Sequence, residues 1–221
     1  MWSLARPDTH REATLARRRA LVEAAVDVVA EKGVAGATHR EIARRAGVPL
    51  STTSYFFASI DELVLTALRE FQAELLEQLQ GLRAMLESQR LSPAAAVDVL
   101  IEVLFAEPPA RIVAQFEGYL EASRRPGDRD EVAVVIDAFE QLAESMLTAA
   151  GANHPAEGAR AFVALIDGFA LHRLARPRPG SDGASLRRAL LDLLAAQLLD
   201  DEERRLIDAR LAQTPRATPA P

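Results

Sequence analysis

Residues 38–57 read THREIARRAGVPLSTTSYFF, and this stretch decides the fold. Thr38 and Glu41 stand three apart, the spacing of a capping box, in which a hydroxyl and a carboxylate satisfy the free amides at a helix start. A short helix is therefore expected from His39, with Ile42, Ala43 and Ala46 on its inner face and Gly47 able to take the left-handed backbone that ends it. Val48 packs the turn. Pro49 stands at or near the first position of the next helix, where its missing amide donor costs nothing, and Tyr55 and Phe57 give that helix aromatic weight. Two helices of about two turns each, joined by a tight Gly turn, make a helix-turn-helix.

The run Ser51, Thr52, Thr53, Ser54 in the second helix is made of residues that form helices less readily than Ala or Leu, so propensity gives no reason for it. A helix lying in a major groove does, because short hydroxyls can donate to phosphates and base edges without holding the backbone away. A solvated Ser/Thr turn is the plainer reading of the same run. The capped helix and Gly turn in front of it weigh against that.

Outward from this stretch, residues 1–8 read as a flexible arm and residues 9–32 as a helix, with Leu21, Val22, Ala25, Val26, Val28 and Val29 at helical spacing. Lys32 suits the negative helix end, Gly33 stops it, and Gly36 leads to the Thr38 cap. On the other side, Ser59 and Glu62 form a second capping box. The helix they open runs to about residue 88 through Leu63, Leu68, Phe71, Leu75, Leu79 and Leu82, and is the only covalent path out of the first domain.

Composition limits the remaining possibilities. A chain of 221 residues, 49% hydrophobic and 5% aromatic, can bury a core and divide into one small and one larger domain. It has no Cys, which excludes disulfides, thiolate chemistry and Cys-ligated zinc. The polar start and the lack of an apolar run of about 18 residues predict neither signal peptide nor membrane span, and a cytoplasmic protein. Net charge is −6, but residues 1–60 hold nine Arg or Lys against six Asp or Glu, so a basic end of +3 sits on an acidic body of −9. That division places phosphate contact at one end only. A solvated face is the bland account of Arg17, Arg18 and Arg19.

The second part reads as all-helical. Ser92 and Pro93 open a helix carrying Val97, Leu100, Ile101, Leu104 and Phe105 to Glu107, and Pro108-Pro109 interrupts it. ARIVAQFEGYLEAS is the next. Residues 128–150 follow, with Val132, Val135, Ile136, Phe139, Leu142, Met146 and Leu147 inward and Gly151 as the stop. The last two helices are expected at 155–176 and 185–213, separated by PRPGSDG, and the leucines of the second cover more than one stripe. A helix apolar on several sides needs more than its own core to cover it, which predicts a dimer face on this pair, a four-helix bundle when doubled by a two-fold axis. The tail 214–221 is expected to be disordered.

No catalytic constellation is visible. His10, His39, His154 and His172 are scattered without metal-ligand spacing, there is no GxGxxG, GxxxxGK[ST] or GxSxG, and acidic pairs such as Asp61-Glu62 sit at helix starts. Neither a cofactor nor a metal is expected, and the chain does not read as an enzyme.

The segment ALVEAAVDVVAEKGVAGATHREIARRAGVPLSTTSYFFASIDELV resembles the amino-terminal DNA-binding domain of the TetR/AcrR family of transcriptional regulators. The match is carried by Ala25, Gly33, Thr38, Ile42, Ala43, Ala46, Gly47, Val48, Tyr55 and Phe57. The resemblance implies an all-α protein with a three-helix DNA-binding domain over 1–58 and a helical domain for ligand binding and dimerisation over 59–213. It further implies a homodimer on a palindromic double-stranded operator, released by a small-molecule effector, with repression as the usual outcome. Carried over by position, Thr38, His39, Arg40, Arg44, Leu50, Ser51, Thr52, Thr53, Ser54 and Tyr55 are the expected DNA contacts. Thr38 and its cap amides would meet a phosphate, Thr52 and Thr53 the groove, and the Tyr55 hydroxyl a phosphate. Leu50 and Ile60 stand where relatives usually carry Lys, and Ser54 and Phe56 where they often have Tyr and His. These departures motivate an alternative, a helical small-molecule-binding protein without operator binding. Effector contacts are expected among Phe105, Gln115, Phe116, Tyr119, Phe139, Met146, Asp167, Phe169 and His172, polar or aromatic residues on otherwise inward faces.

Overall fold

The computed structural model describes residues 7–89, 91–125, 127 and 129–212, and among them every regular element is a helix. In chain order these are α1 (Pro7–Lys32), a 3-10 turn (Val34–Gly36), α2 (His39–Arg45), α3 (Leu50–Phe56), α4 (Ile60–Gln89), α5 (Pro93–Ala106), α6 (Pro109–Arg124), α7 (Arg129–Ala149), α8 (Pro155–Ala175), α9 (Asp182–Gln197) and α10 (Asp201–Leu211). The arm expected at the amino terminus falls mostly outside the described residues, as does the tail. Pro7 and Asp8, counted there as arm, are helical.

The chain separates into two compact units. The first holds the described residues up to Gly81, Leu104–Ala138 and Leu174–Arg176; the second holds Leu82–Val103, Phe139–Arg173 and the residues from Pro177 on. This grouping differs from a division at residue 59, and the reason is packing. Leu63, Val64, Ala67 and Leu68 of α4 share one buried core with Leu21, Ala25, Val28 and Val29 of α1, Ile42 of α2, and Phe57. Each Leu, Val, Ile or Phe among them contributes roughly 1.5–3 kcal/mol on leaving water, so the first turns of α4 are as much part of this core as α1 is.

Three local features fix the helix-turn-helix inside the first unit. Gly33 and Gly47 both adopt positive φ, 70° and 66°, which an L side chain rarely takes, and so end α1 and turn the chain after α2. Thr38 caps α2 by accepting the Glu41 amide at 3.2 Å. Ser59 accepts the Glu62 amide at 3.1 Å, while the Glu62 carboxylate takes the Ala58 amide at 2.6 Å. On α6, Gly118 leaves room for the Gln72 side chain of α4, whose Nε2 would stand 3.0 Å from a Cβ placed there. Glu121, buried on α6, is compensated by Arg125 at 2.7 Å and Arg124 at 3.5 Å.

In the second unit Leu186, Leu190 and Leu194 form the buried stripe of α9, and Leu86, Val97, Leu142, Leu147 and Phe162 are buried on α4, α5, α7 and α8. Arg187 of α9 grips Asp98 of α5 through two nitrogens at 2.5 and 3.2 Å, which holds the Asp98 carboxyl below its ordinary pKa. The helix expected over 185–213 is two helices. Asp200 breaks it by accepting the amides of Glu202 and Glu203 at 2.9 and 2.8 Å, and Glu203 returns the bond to the Asp200 amide at 3.0 Å, a complete capping box. Asn153 adds a bond from its side-chain amide to the Leu199 carbonyl at 2.7 Å, occupying the backbone where a continuous helix would run.

Candidate nucleic-acid interface

α3 separates its residues by face. Thr53 is fully buried and its hydroxyl donates to the Leu50 carbonyl at 2.7 Å, so it faces the core and not a groove, which corrects its expected role. The hydroxyl serves the backbone of its own helix, which is how a polar residue is tolerated there. Leu50, Ser51, Ser54 and Tyr55, one, four and five positions apart, make the exposed stripe, with Thr52 half-buried beside it. Tyr55 is 76% exposed and leans edge-on against Phe56 with centroids 4.9 Å apart. Its phenol is presented outward by an aromatic base that sits against the core.

On α2, Arg40 and Arg44 and the cap residue Thr38 are at the surface, with His39 half-buried. The two arginines have different surroundings. Arg44 is held by Glu41 through Nη2 at 2.6 Å and Nε at 3.2 Å, and Lys32 reaches the same carboxylate at 3.1 Å. These hydrogen bonds, Arg44 first, pull the Glu41 carboxyl down to about 2. It stays ionised at any physiological pH and neutralises part of the cationic surface. Arg45 is likewise paired with Glu31. Among the described residues no ion pair engages Arg40, which leaves it the better-placed cation on α2.

The Arg17–Arg19 run divides in the same way. Arg19 pairs with Glu23 at 3.2 Å, whereas Arg18 turns inward to Glu70 of α4 at 2.6 Å and stands over the Phe57 ring at 5.7 Å. Arg18 therefore fastens α1 to α4, a role that the basic run concealed. The Glu41–Arg44 contact was legible in principle from its three-residue spacing.

The nine expected effector residues do not form one cluster. Gln115, Phe116 and Tyr119 come together on α6, where Gln115 Nε2 donates to the Tyr119 hydroxyl at 2.9 Å and the two rings meet edge-on at 5.9 Å. Phe105 belongs to the same unit and is half-buried. Phe139, Met146, Asp167 and Phe169 are half-buried in the other unit, but His172 is exposed on α8 and off the inward face expected for it. The second unit contains a pocket of about 50 Å³ lined by Leu86, Leu91, Ala96, Ser145 and Met146, among others, and Met146 is the one expected residue it includes. Most of the other lining residues are Leu and Ala, ordinary core types that carry no signal of a cavity in the sequence. The first unit has a smaller hollow of about 20 Å³ beside Gly118, room for about one water. Burial raises the Asp167 carboxyl to about 6.

Two short helices joined by a positive-φ Gly turn, the second exposing one face, on a core shared with α1 and the start of α4, make a helix-turn-helix domain. Residues 21–67 match the model described as bacterial regulatory proteins, tetR family, and residues 91–196 match the tetracyclin repressor-like carboxyl-terminal domain. The chain is 28% identical to the nicotine-responsive transcriptional repressor HdnoR of Paenarthrobacter nicotinovorans, over 76% of this chain and 88% of that one. Among solved structures, a TetR-family member of Streptomyces coelicolor A3, SCO1917, is 32% identical with a TM-score of 0.60, covering 80% of this chain and 97% of that one. The multidrug binding protein EbrR in complex with ethidium is 31% identical with a TM-score of 0.57, covering 80% and 98%. The chain belongs to the TetR family. It is a ligand-responsive, DNA-binding transcriptional repressor and not an enzyme.

Proposed function

We propose that α3 enters the major groove through Leu50, Ser51, Ser54 and Tyr55, with Thr52 at the flank, and that Thr38, Arg40 and the Tyr55 hydroxyl hold the phosphates on either side. The single observation that carries this is the outward stripe on α3, whose opposite side is closed by the buried Thr53 and by Phe56 packed on the core. His39 and Arg44 lie on the same border, Arg44 reaching a phosphate only by leaving Glu41. We place the protein in the cytoplasm with its operator; among the described residues no helix is long and apolar enough to cross a membrane.

Functionally the chain divides at residue 59, with reading before it and effector binding and dimerisation in 59–213. The dimer forms on α8 and α9, supported by Leu171 and Leu198, which are large, apolar and about half exposed in the single chain. The effector is a small organic cation. Support comes from the −9 charge of the body and from the nicotine response and ethidium complex of the two relatives above. Its binding favours a state of α4 in which the two reading helices no longer stand about 34 Å apart, one turn of DNA. A tenfold loss of operator affinity takes about 1.4 kcal/mol of differential binding.

Operator affinity of Tyr55→Phe and Arg40→Ala, measured at two salt concentrations, tests the contact map. Both should bind more weakly, and Arg40→Ala should also lower the salt slope by about one phosphate contact, roughly 0.9 in log–log terms. Unchanged affinity in both would overturn it.

A further inference from the structure

We propose that α10 is a self-complementary contact, pairing antiparallel with the α10 of a second copy of the chain across the two-fold axis of the homodimer. The helix is firmly started by the Asp200 capping box, yet it buries none of its residues, and Leu206 and Ile207 are 67% and 44% exposed. Eleven residues are too few to hold a helix in water on their own, so such a segment is expected to gain stability from packing. On its own side it is tied down through Arg204, whose guanidinium donates to the Ala196 carbonyl at 3.1 Å.

The pattern of the exposed face identifies the occupant. Glu203, Leu206, Ile207 and Arg210 recur at intervals of three, one and three, so they share one stripe, bordered on the Ile207 side by the half-buried Arg204. Reversing the helix about a point between Leu206 and Ile207 sets Leu206 against Ile207 of the copy and Glu203 against Arg210, twice over by symmetry. Apolar residues meet at the centre and opposite charges meet at both rims. A parallel alignment in register would instead put Glu203 on Glu203 and Arg210 on Arg210. An acidic or a basic partner protein would match only half of this face.

A contact of this size falls short of the roughly 1,200 Å² that a stable interface buries, so it acts within an assembly that already holds two copies together. It uses the dimeric state of the family and is independent of the assignment of that dimer to α8 and α9.

The chain has no Cys, so a single introduced thiol reports the pairing directly. Full-length Leu206→Cys treated with a short bismaleimide should cross-link rapidly to a species that sediments as the dimer, and Asp208→Cys, on the far side of α10, should not. Adding Arg210→Glu to Leu206→Cys should slow cross-linking by about tenfold, because both rim pairs become repulsive, whereas Arg210→Lys should leave it nearly unchanged. Equal rates at positions 206 and 208 in a protein that still sediments as a dimer would overturn the pairing while leaving the α8–α9 dimer intact. Cross-linked species larger than the dimer would overturn its placement within one homodimer. A monomer by sedimentation would remove the dimer itself.

Discussion

Thr53 and Tyr55 are two positions apart on α3 and do opposite work: one closes the helix onto its core, the other stands out from it. The same division governs charge. Glu41 holds Arg44 and Lys32 together, so part of the cationic surface needed for phosphate contact is already satisfied within the protein. Glu41→Gln should therefore release Arg44. Operator binding is expected to tighten several-fold and the salt slope to steepen by about one contact, with some loss of stability at the α2 start. Filter binding across a salt series reads this, and an unchanged slope would show that Arg44 takes no part even when freed. Asp167 offers a separate test. Its carboxyl is raised by burial from an ordinary 3.8 to about 6, so the folded state holds the proton more tightly than the unfolded one. The stabilisation is complete below about pH 4 and is lost as pH rises through 6. Asp167→Asn should raise stability at pH 7.5 by on the order of 1–2 kcal/mol and make little difference at pH 4, as followed by thermal unfolding at both.

Among the elements, α2, α3 and the turn between them were the most legible in the sequence, because Thr38, Gly47 and Pro49 are residues whose backbone chemistry leaves few choices. The Gly33 and Gly151 stops were legible for the same reason. The break between α9 and α10 was not. The Asp200–Glu203 spacing is that of a capping box and was readable, but a continuous leucine pattern runs across it, and the bond from Asn153, 46 residues distant, becomes visible only when the fold brings the two together. The reading face was legible as a run of hydroxyls but not as a face, since Thr53 resembles its neighbours in type and differs only in direction. Effector residues were least legible, because aromatic and polar residues on inward faces pack cores as readily as they line cavities. Close approach of elements is testable at Gly158, where an added Cβ would meet Leu147 Cδ1 at 2.9 Å and the Gln197 side chain at 3.0 Å. Gly158→Ala should destabilise the chain by about 1–3 kcal/mol through overpacking, despite its higher helix propensity. A rise in melting temperature would mean that α8 has room to move there.

For the whole molecule, the formal charge of −6 hides a basic reading end on an acidic body, and the two parts serve different partners. Family membership establishes a DNA-binding, effector-responsive repressor; which face reads the operator and which helices make the dimer are the account's own claims. Selection of random duplexes by the purified full-length protein tests the central one most directly. The account predicts enrichment of a two-fold symmetric sequence whose half-sites are centred about ten base pairs apart, with Tyr55→Phe and Arg40→Ala recovering less of it at the same salt. No enrichment, or enrichment indifferent to both substitutions, would contradict it.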